Sequence, residues 1–192
     1  MTTIKDLSEE MPSFPGRAIK FANFNVTSQV FHVTPHSFAL VNLKPLLPGH
    51  ILVSPLRVVP RLSDLSAAET TDLFLTTTKL QRTLARVYKA EAFNVAVQDG
   101  QAAGQSVPHV HVHVIPRKSG DGGEGDKVHE WLEGEEGDVG AHQRQAVERQ
   151  RAKEEWVKDE DRKPRSKEVM EAEAKWLREE IEKDEKSSAG RL

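Results

Sequence analysis

A chain of 192 residues with 37% hydrophobic and 30% charged side chains has material for one core plus a segment that stays outside it. The net charge of −3 provides no general basic field for nucleic acid or an acidic membrane, so an anionic substrate must be held by local donors. Cysteine is absent, which excludes disulfides, thiolate metal sites and cysteine nucleophiles, and no apolar run is long enough to span a bilayer.

In chain order, residues 1–20 are polar and broken by Pro12, Pro15 and Gly16, and read as a loosely held arm. The opening MTTIKDLSEEMPSFPGR lacks both a secretory signal's apolar core and a transit peptide's basic character. A soluble protein of the cytoplasm, with the nucleus as a second compartment and no membrane or nucleic-acid partner, is the expectation. Three β-rich runs follow, Gln29–Val33, Ser37–Leu43 and His50–Ser54, separated by turn signals at Thr34-Pro35 and Lys44-Pro45…Pro48-Gly49. Ser66-Ala-Ala-Glu69 has the spacing of a capping box. Behind it Leu73, Phe74, Leu80, Leu84, Val87 and Tyr88 predict one helix ending near Ala90. Phe93–Gln98 and Val107–Ile115 predict two further strands, joined by a glycine-bearing connection.

Beyond Arg117 the composition changes. Residues 118–163 are rich in glycine and acid, with little apolar surface to offset ordering, and read as a flexible insertion. In residues 164–192, Met170, Ala174, Leu177 and Ile181 form a narrow stripe that docks a terminal helix, with fraying expected from Asp184. Residues 21–117 are then the main folded domain. The class is α+β: an antiparallel sheet with a long helix and a C-terminal helix.

The densest chemical signal is His109-Val110-His111-Val112-His113-Val114. On a strand the imidazoles share one face and the valines the other, with successive histidine Cα atoms roughly 6.5 Å apart. A satisfied polar row is the bland alternative, and a folding domain has little use for three such groups. A zinc site is a second alternative, but the outer two Cα atoms lie roughly 13 Å apart, too far to converge easily on bonds of about 2.1 Å. The third reading is phosphoryl chemistry. A neutral imidazole attacks phosphorus, and its neighbours donate to phosphate oxygens. The amides of Gly104, Gln105, Ser106 and Val107, with the Ser106 hydroxyl, are positioned in sequence to form an anion-binding loop. His32, His36, His129 and His142 read as surface residues, and Trp176 as part of the terminal helix's docking face.

His109–Val114 is similar to the signature of the histidine triad superfamily, alternating histidines with apolar residues. Gln98–Arg117 resembles its Fhit branch, the dinucleoside polyphosphate hydrolases, as do Ser37–Pro45 and Pro48–Pro55. Lys158–Arg165 with the Met170–Leu177 helix resembles the fungal members. The resemblance implies the histidine triad fold and a homodimer whose sheets join. It also implies asymmetric cleavage of diadenosine tri- or tetraphosphate to AMP plus ADP or ATP through a nucleotidyl-histidine. By the same resemblance His111 is the nucleophile, and His109 and His113 contact the phosphates and the leaving oxygen. His50 supports the row from a neighbouring strand, and Gln98 reaches the phosphate. Asn42 meets the ribose hydroxyls, and Gly104, Gln105, Ser106 and Val107 form the phosphate loop. Phe21, Leu40 and Leu52 line the base slot. No protein-held metal is implied; Mg2+ or Mn2+ accompanies the substrate phosphates. A Hint-like nucleoside phosphoramidase is the rival enzyme, disfavoured by Gln98-Asp99-Gly100. A dinucleotide-binding signalling module acting through the acidic segment is the non-enzymatic rival.

Overall fold

The computed structural model describes residues 18–123, 127–133 and 164–189. A short hairpin of β1 (Lys20–Phe21) and β2 (Phe24–Asn25) precedes the main sheet. That sheet contains β3 (Val30–Val33), β4 (Ser37–Val41), β5 (Ile51–Pro55), β6 (Ala92–Ala96) and β7 (Val112–Arg117). Its spatial order is β3-β4-β5-β7-β6 and every pairing is antiparallel. The helices are α1 (Ala67–Tyr88), α2 (Lys127–Glu133) and α3 (Lys167–Ala189). The expected α+β class is the one observed.

Alternation along the strands assigns the two faces of the sheet. Ala39, Val41, Ile51, Val53, Val110, Val112 and Val114 face one way, against Leu73, Leu80 and Leu84 of α1 and Met170, Ala174, Leu177 and Ile181 of α3. Each fully buried leucine, isoleucine or valine there contributes roughly 1.5–3 kcal/mol. Phe38, Leu40 and Leu52 face the other way and, with Phe21 and Val107, form a second cluster. The three histidines belong to this second face.

The capping box forms reciprocally: Glu69 N–H donates to Ser66 Oγ at 3.3 Å and Ser66 N–H to Glu69 Oε2 at 2.8 Å. Arg57 grips the same carboxylate at 2.7 and 2.8 Å, and this contact, with the Ser66 bonds, holds Glu69 down at about 2. Thr76 and Thr77 share the buried face of α1, whereas Phe74 lies 40% exposed and is not part of its apolar stripe. α3 continues to Ala189 instead of fraying from Asp184. Thr83 and Arg86 reach Asp184, and Lys79 reaches Glu185, so the last turns have partners on α1.

Part of the segment read as a flexible insertion is ordered. Asp121 pairs with Arg117 at 2.7 Å, and α2 buries Val128 and Leu132 against Leu46, Leu47 and Ile115. One i, i+4 pair of apolar residues in a charged stretch is too weak a periodic signal to announce a helix. Residues 134–163 of that segment, with His142 and Trp156, lie outside the described residues, as does most of the expected N-terminal arm.

Candidate active site

The histidine strand is shorter than its alternation suggests. Regular pairing starts at Val112, so His109, Val110 and His111 precede β7. The reason lies in the partners. β5 pairs Ile51, Leu52 and Val53 with Val114, His113 and Val112, and it ends at Pro55, while Pro108 has no N–H for a ladder. Other bonds hold the stretch in place. Val110 N–H donates to the Val59 carbonyl at 2.8 Å, and Ser54 Oγ donates to the Val110 carbonyl at 2.7 Å. His113 is paired in the ladder, and His109 and His111 are held near it without ladder pairing of their own.

Hydrogen bonds assign the protons. Ala22 N–H donates to His109 Nδ1 at 3.0 Å, so His109 carries its proton on Nε2 and gives it to the Pro55 carbonyl at 2.8 Å. Both nitrogens are occupied, and the ring is stacked on Phe21 at 5.3 Å between centroids. The main chain thus fixes the His109 ring from both sides, between the Ala22 amide and the Pro55 carbonyl. Ala22 supplies its N–H from a left-handed backbone, φ 50°.

His111 Nδ1 lies 2.7 Å from the His109 carbonyl, which can only accept. The proton is therefore on Nδ1, and Nε2 is left with its lone pair. His50 accepts from Leu46 N–H through Nδ1 at 3.1 Å, which places its proton on Nε2, 3.0 Å from His113 Nδ1. His113 in turn carries its proton on Nε2, a buried atom without a hydrogen-bond partner among the described residues. The His111 and His113 ring centroids are 4.9 Å apart, and the Phe21 centroid lies 5.2 Å from that of His111 with the two rings nearly perpendicular. A lone pair and an unused N–H donor thus lie side by side. Burial pushes all three histidines below the ordinary range, His109 to about 4, so the row is neutral at physiological pH.

Asn42 follows β4 directly and is buried. Its Oδ1 accepts from Lys44 N–H at 3.0 Å, and its Nδ2 lies 3.2 Å from His50 Nε2. His50 is itself placed by Gly49, whose φ of +80° and whose missing Cβ (it would stand 2.7 Å from the Tyr88 ring) require glycine. Leu40 pairs with Leu52, and Leu52 with His113, across three strands. Phe21, Leu40 and Leu52 line a cavity of about 120 Å³ together with Phe24, Gln29 and Leu43.

Gln98 is buried beneath α2. Its Nε2 donates to the Leu132 carbonyl of α2 at 2.8 Å, and its Oε1 has no partner among the described residues. The last carbonyls of a helix lack intrahelical donors, and the Gln98 amide supplies one. Gly104 abuts it: a Cβ there would stand 2.5 Å from Gln98 Nε2. Gln105 bridges Gly100 N–H and the Pro60 carbonyl, bracing the loop. Ser106 is half-buried and Val107 packs under Phe21. His32 differs from its surface reading, being half-buried with its ring pushed down by burial, while His36 and His129 are exposed. Trp176 meets Tyr88 edge-on at 5.5 Å, which ties α3 to α1.

Sequence reasoning passed over four parts of this site. The N–H of Ala22 and the carbonyl of Pro55 are main-chain groups and carry no residue signal. Ser54 is the one polar residue in the buried run Ile51–Pro55, and that contrast could have marked it. Arg165, discussed below, sits far along the chain. Among the described residues no group of three or more His, Asp or Glu is placed to hold a metal ion. His109 could ligate a metal through Nδ1 only by giving up the Ala22 hydrogen bond.

An antiparallel sheet backed by two helices, with a row of buried neutral imidazoles on its open face, defines a histidine-site α+β domain. The HIT domain family matches residues 23–120, and the chain belongs to that family. The asymmetrical bis(5'-nucleosyl)-tetraphosphatase of Schizosaccharomyces pombe is 49% identical over 170 residues, 84% of this chain and 93% of that protein. The bis(5'-adenosyl)-triphosphatase of Saccharomyces cerevisiae is 52% identical over 102 residues, 53% of this chain and 50% of that protein. Among solved structures, Plasmodium falciparum diadenosine triphosphate hydrolase in complex with cyclomarin A superposes with a TM-score of 0.65 at 27% identity. That match covers 91% of this chain and 90% of the other.

Proposed function

We propose that this protein is a dinucleoside polyphosphate hydrolase that cleaves diadenosine tri- or tetraphosphate asymmetrically, releasing AMP with ADP or ATP. The observation that carries it is the bare Nε2 of His111 beside the donor Nε2–H of His113, next to a slot lined by Phe21, Leu40 and Leu52. His111 Nε2 attacks the α-phosphorus. A nitrogen–phosphorus bond forms, the bond from phosphorus to the bridging oxygen breaks, and ADP or ATP departs with that oxygen and its electron pair. Water then attacks the same phosphorus, the nitrogen–phosphorus bond breaks, and AMP leaves with the oxygen of water. His113 Nε2–H donates to a phosphate oxygen, where charge accumulates. The His109 carbonyl holds the His111 proton on Nδ1 throughout, so the attacking nitrogen stays available.

Phe21, Leu40 and Leu52 take the adenine, Asn42 the ribose hydroxyls, and Gly104 to Val107 supply amides to the phosphates. Gln98 joins them after exchanging the Leu132 carbonyl for a phosphate oxygen. Mg2+ or Mn2+ arrives bound to the polyphosphate. A homodimer forms by continuation of the sheet: β6 is an edge strand and exposes Val95 by 44%. The working location is the cytoplasm, with access to the nucleus.

The test is hydrolysis in heavy-oxygen water with His111→Asn as a control. Label in AMP and none in ADP or ATP is expected, with turnover lost in the variant while nucleotide binding remains. Label in ADP or ATP instead would overturn the assignment of His111 to the α-phosphorus. Faster turnover of adenosine phosphoramidate than of dinucleotide would favour the phosphoramidase reading.

A further inference from the structure

The C-terminal segment reaches the residues around the active site through Arg165. Arg165 lies just before α3, yet its backbone N–H donates to the Leu43 carbonyl at 3.1 Å. Its guanidinium donates to the Asn42 carbonyl through Nε at 3.1 Å and also through Nη2. Nη1 bonds the carboxylate of Glu173, whose other oxygen accepts from Tyr88 Oη at 2.8 Å. One planar fork therefore ties the Asn42 peptide to α3 and, through Glu173 and Tyr88, to α1. Five fixed donors suit this use, because a guanidinium can serve a carbonyl and a carboxylate at once in a set geometry.

The peptide so held carries the side chain whose Oδ1 accepts from Lys44 N–H at 3.0 Å and whose Nδ2 packs 3.2 Å from His50 Nε2, a contact between two donors, while the His50 proton goes to His113. β4 has already ended at Val41, so the sheet ladder does not fix Asn42. We infer that Arg165 is a positioning residue for sugar recognition: it sets the Asn42 amide from the C-terminal segment and makes that segment part of the substrate site. The inference rests on the reading of Asn42 as the ribose contact in a dinucleotide hydrolase. It gives residues 164–189 a role beyond covering the core. Substrate specificity at the sugar is then decided by a residue over 120 positions away from the one that touches it.

The experiment compares diadenosine tetraphosphate with its bis-2'-deoxyadenosine counterpart, measuring kcat and KM for wild type, Arg165→Ala, Arg165→Lys and Tyr88→Phe. Wild type is expected to prefer the ribose substrate. Arg165→Ala should raise KM for the ribose substrate by about tenfold, leave KM for the deoxy substrate within a few-fold, and leave kcat nearly unchanged. Arg165→Lys should restore only part of the preference, since a point charge cannot hold both partners. Tyr88→Phe should shift the ratio less, in the same direction. If Arg165→Ala does not fold, the lysine and phenylalanine variants carry the same comparison. Equal losses on both substrates would mark a purely structural role and overturn the inference. An unchanged ratio would overturn it too. A wild type that hydrolyses both substrates equally removes the Asn42 contact and the inference with it, whereas one that hydrolyses neither overturns the proposed function itself.

Discussion

Acid should destabilise this fold through His109. Its ring is fully buried, accepts from Ala22 N–H and donates to the Pro55 carbonyl, an arrangement that needs one proton and excludes two. Burial lowers it from 6.5 to about 4. Above pH 6.5 the ring is neutral in both folded and unfolded chains, so it adds no pH dependence. Between 6.5 and about 4 the unfolded chain takes up a proton that the folded chain refuses, and stability falls as pH falls. Below that window both states are protonated and the loss is complete, at about 3 kcal/mol from this residue, since one pH unit is worth about 1.36 kcal/mol. From pH 7.5 to 5.0 the share is about 2 kcal/mol. His111 and His113 are shifted the same way and add to the wild-type slope. His109→Gln isolates the contribution, because a glutamine amide can accept from Ala22 and donate to Pro55 but does not titrate. Urea unfolding at fixed protein concentration, repeated from pH 7.5 to 5.0, should show wild type losing about 2 kcal/mol more than the variant. Parallel losses in the two proteins would refute a neutral His109 held by these two bonds.

Three further outcomes follow from particular contacts. Gly49→Ala places a Cβ 2.7 Å from the Tyr88 ring at φ +80°, and should cost at least about 1–2 kcal/mol by thermal or urea unfolding, with activity falling as His50 is displaced. Ser54→Ala removes the donor to the Val110 carbonyl and should cost about 1 kcal/mol; a neutral result would mean that Val59 alone holds the stretch before β7. Val128→Ser with Leu132→Ser should detach α2, raise hydrogen exchange across residues 127–133, and raise kcat/KM by a few-fold as Gln98 loses its Leu132 partner. A tenfold fall in kcat/KM would instead show that α2 helps to hold substrate.

Much of the site was legible because its signals are local. The alternating histidines and valines require only a period of two, and both faces are occupied as that period demands. Ser66 and Glu69 are three residues apart, so their reciprocal bonds were readable from spacing, as was the Met170–Ile181 stripe. The extent of the histidine strand was not readable, because it depends on where β5 ends, on a partner more than fifty residues away.

Local pattern alone was enough for the α+β class, the two helices that cover the valine face, and the identity of the residues gathered on the histidine face. These follow from periodicity and capping, which act over one or two turns. Which nitrogen of each imidazole is protonated depends instead on distant parts of the chain. That choice is made by the Ala22 amide, the Pro55 and His109 carbonyls and the Leu46 amide, main-chain groups that no side-chain pattern announces. The tertiary structure likewise turned Gln98 toward α2 and brought Arg165 onto Asn42. A hydrogen bond is satisfied by whichever group the fold brings within about 3 Å, and that neighbour is set by packing across the chain rather than by the residues on either side.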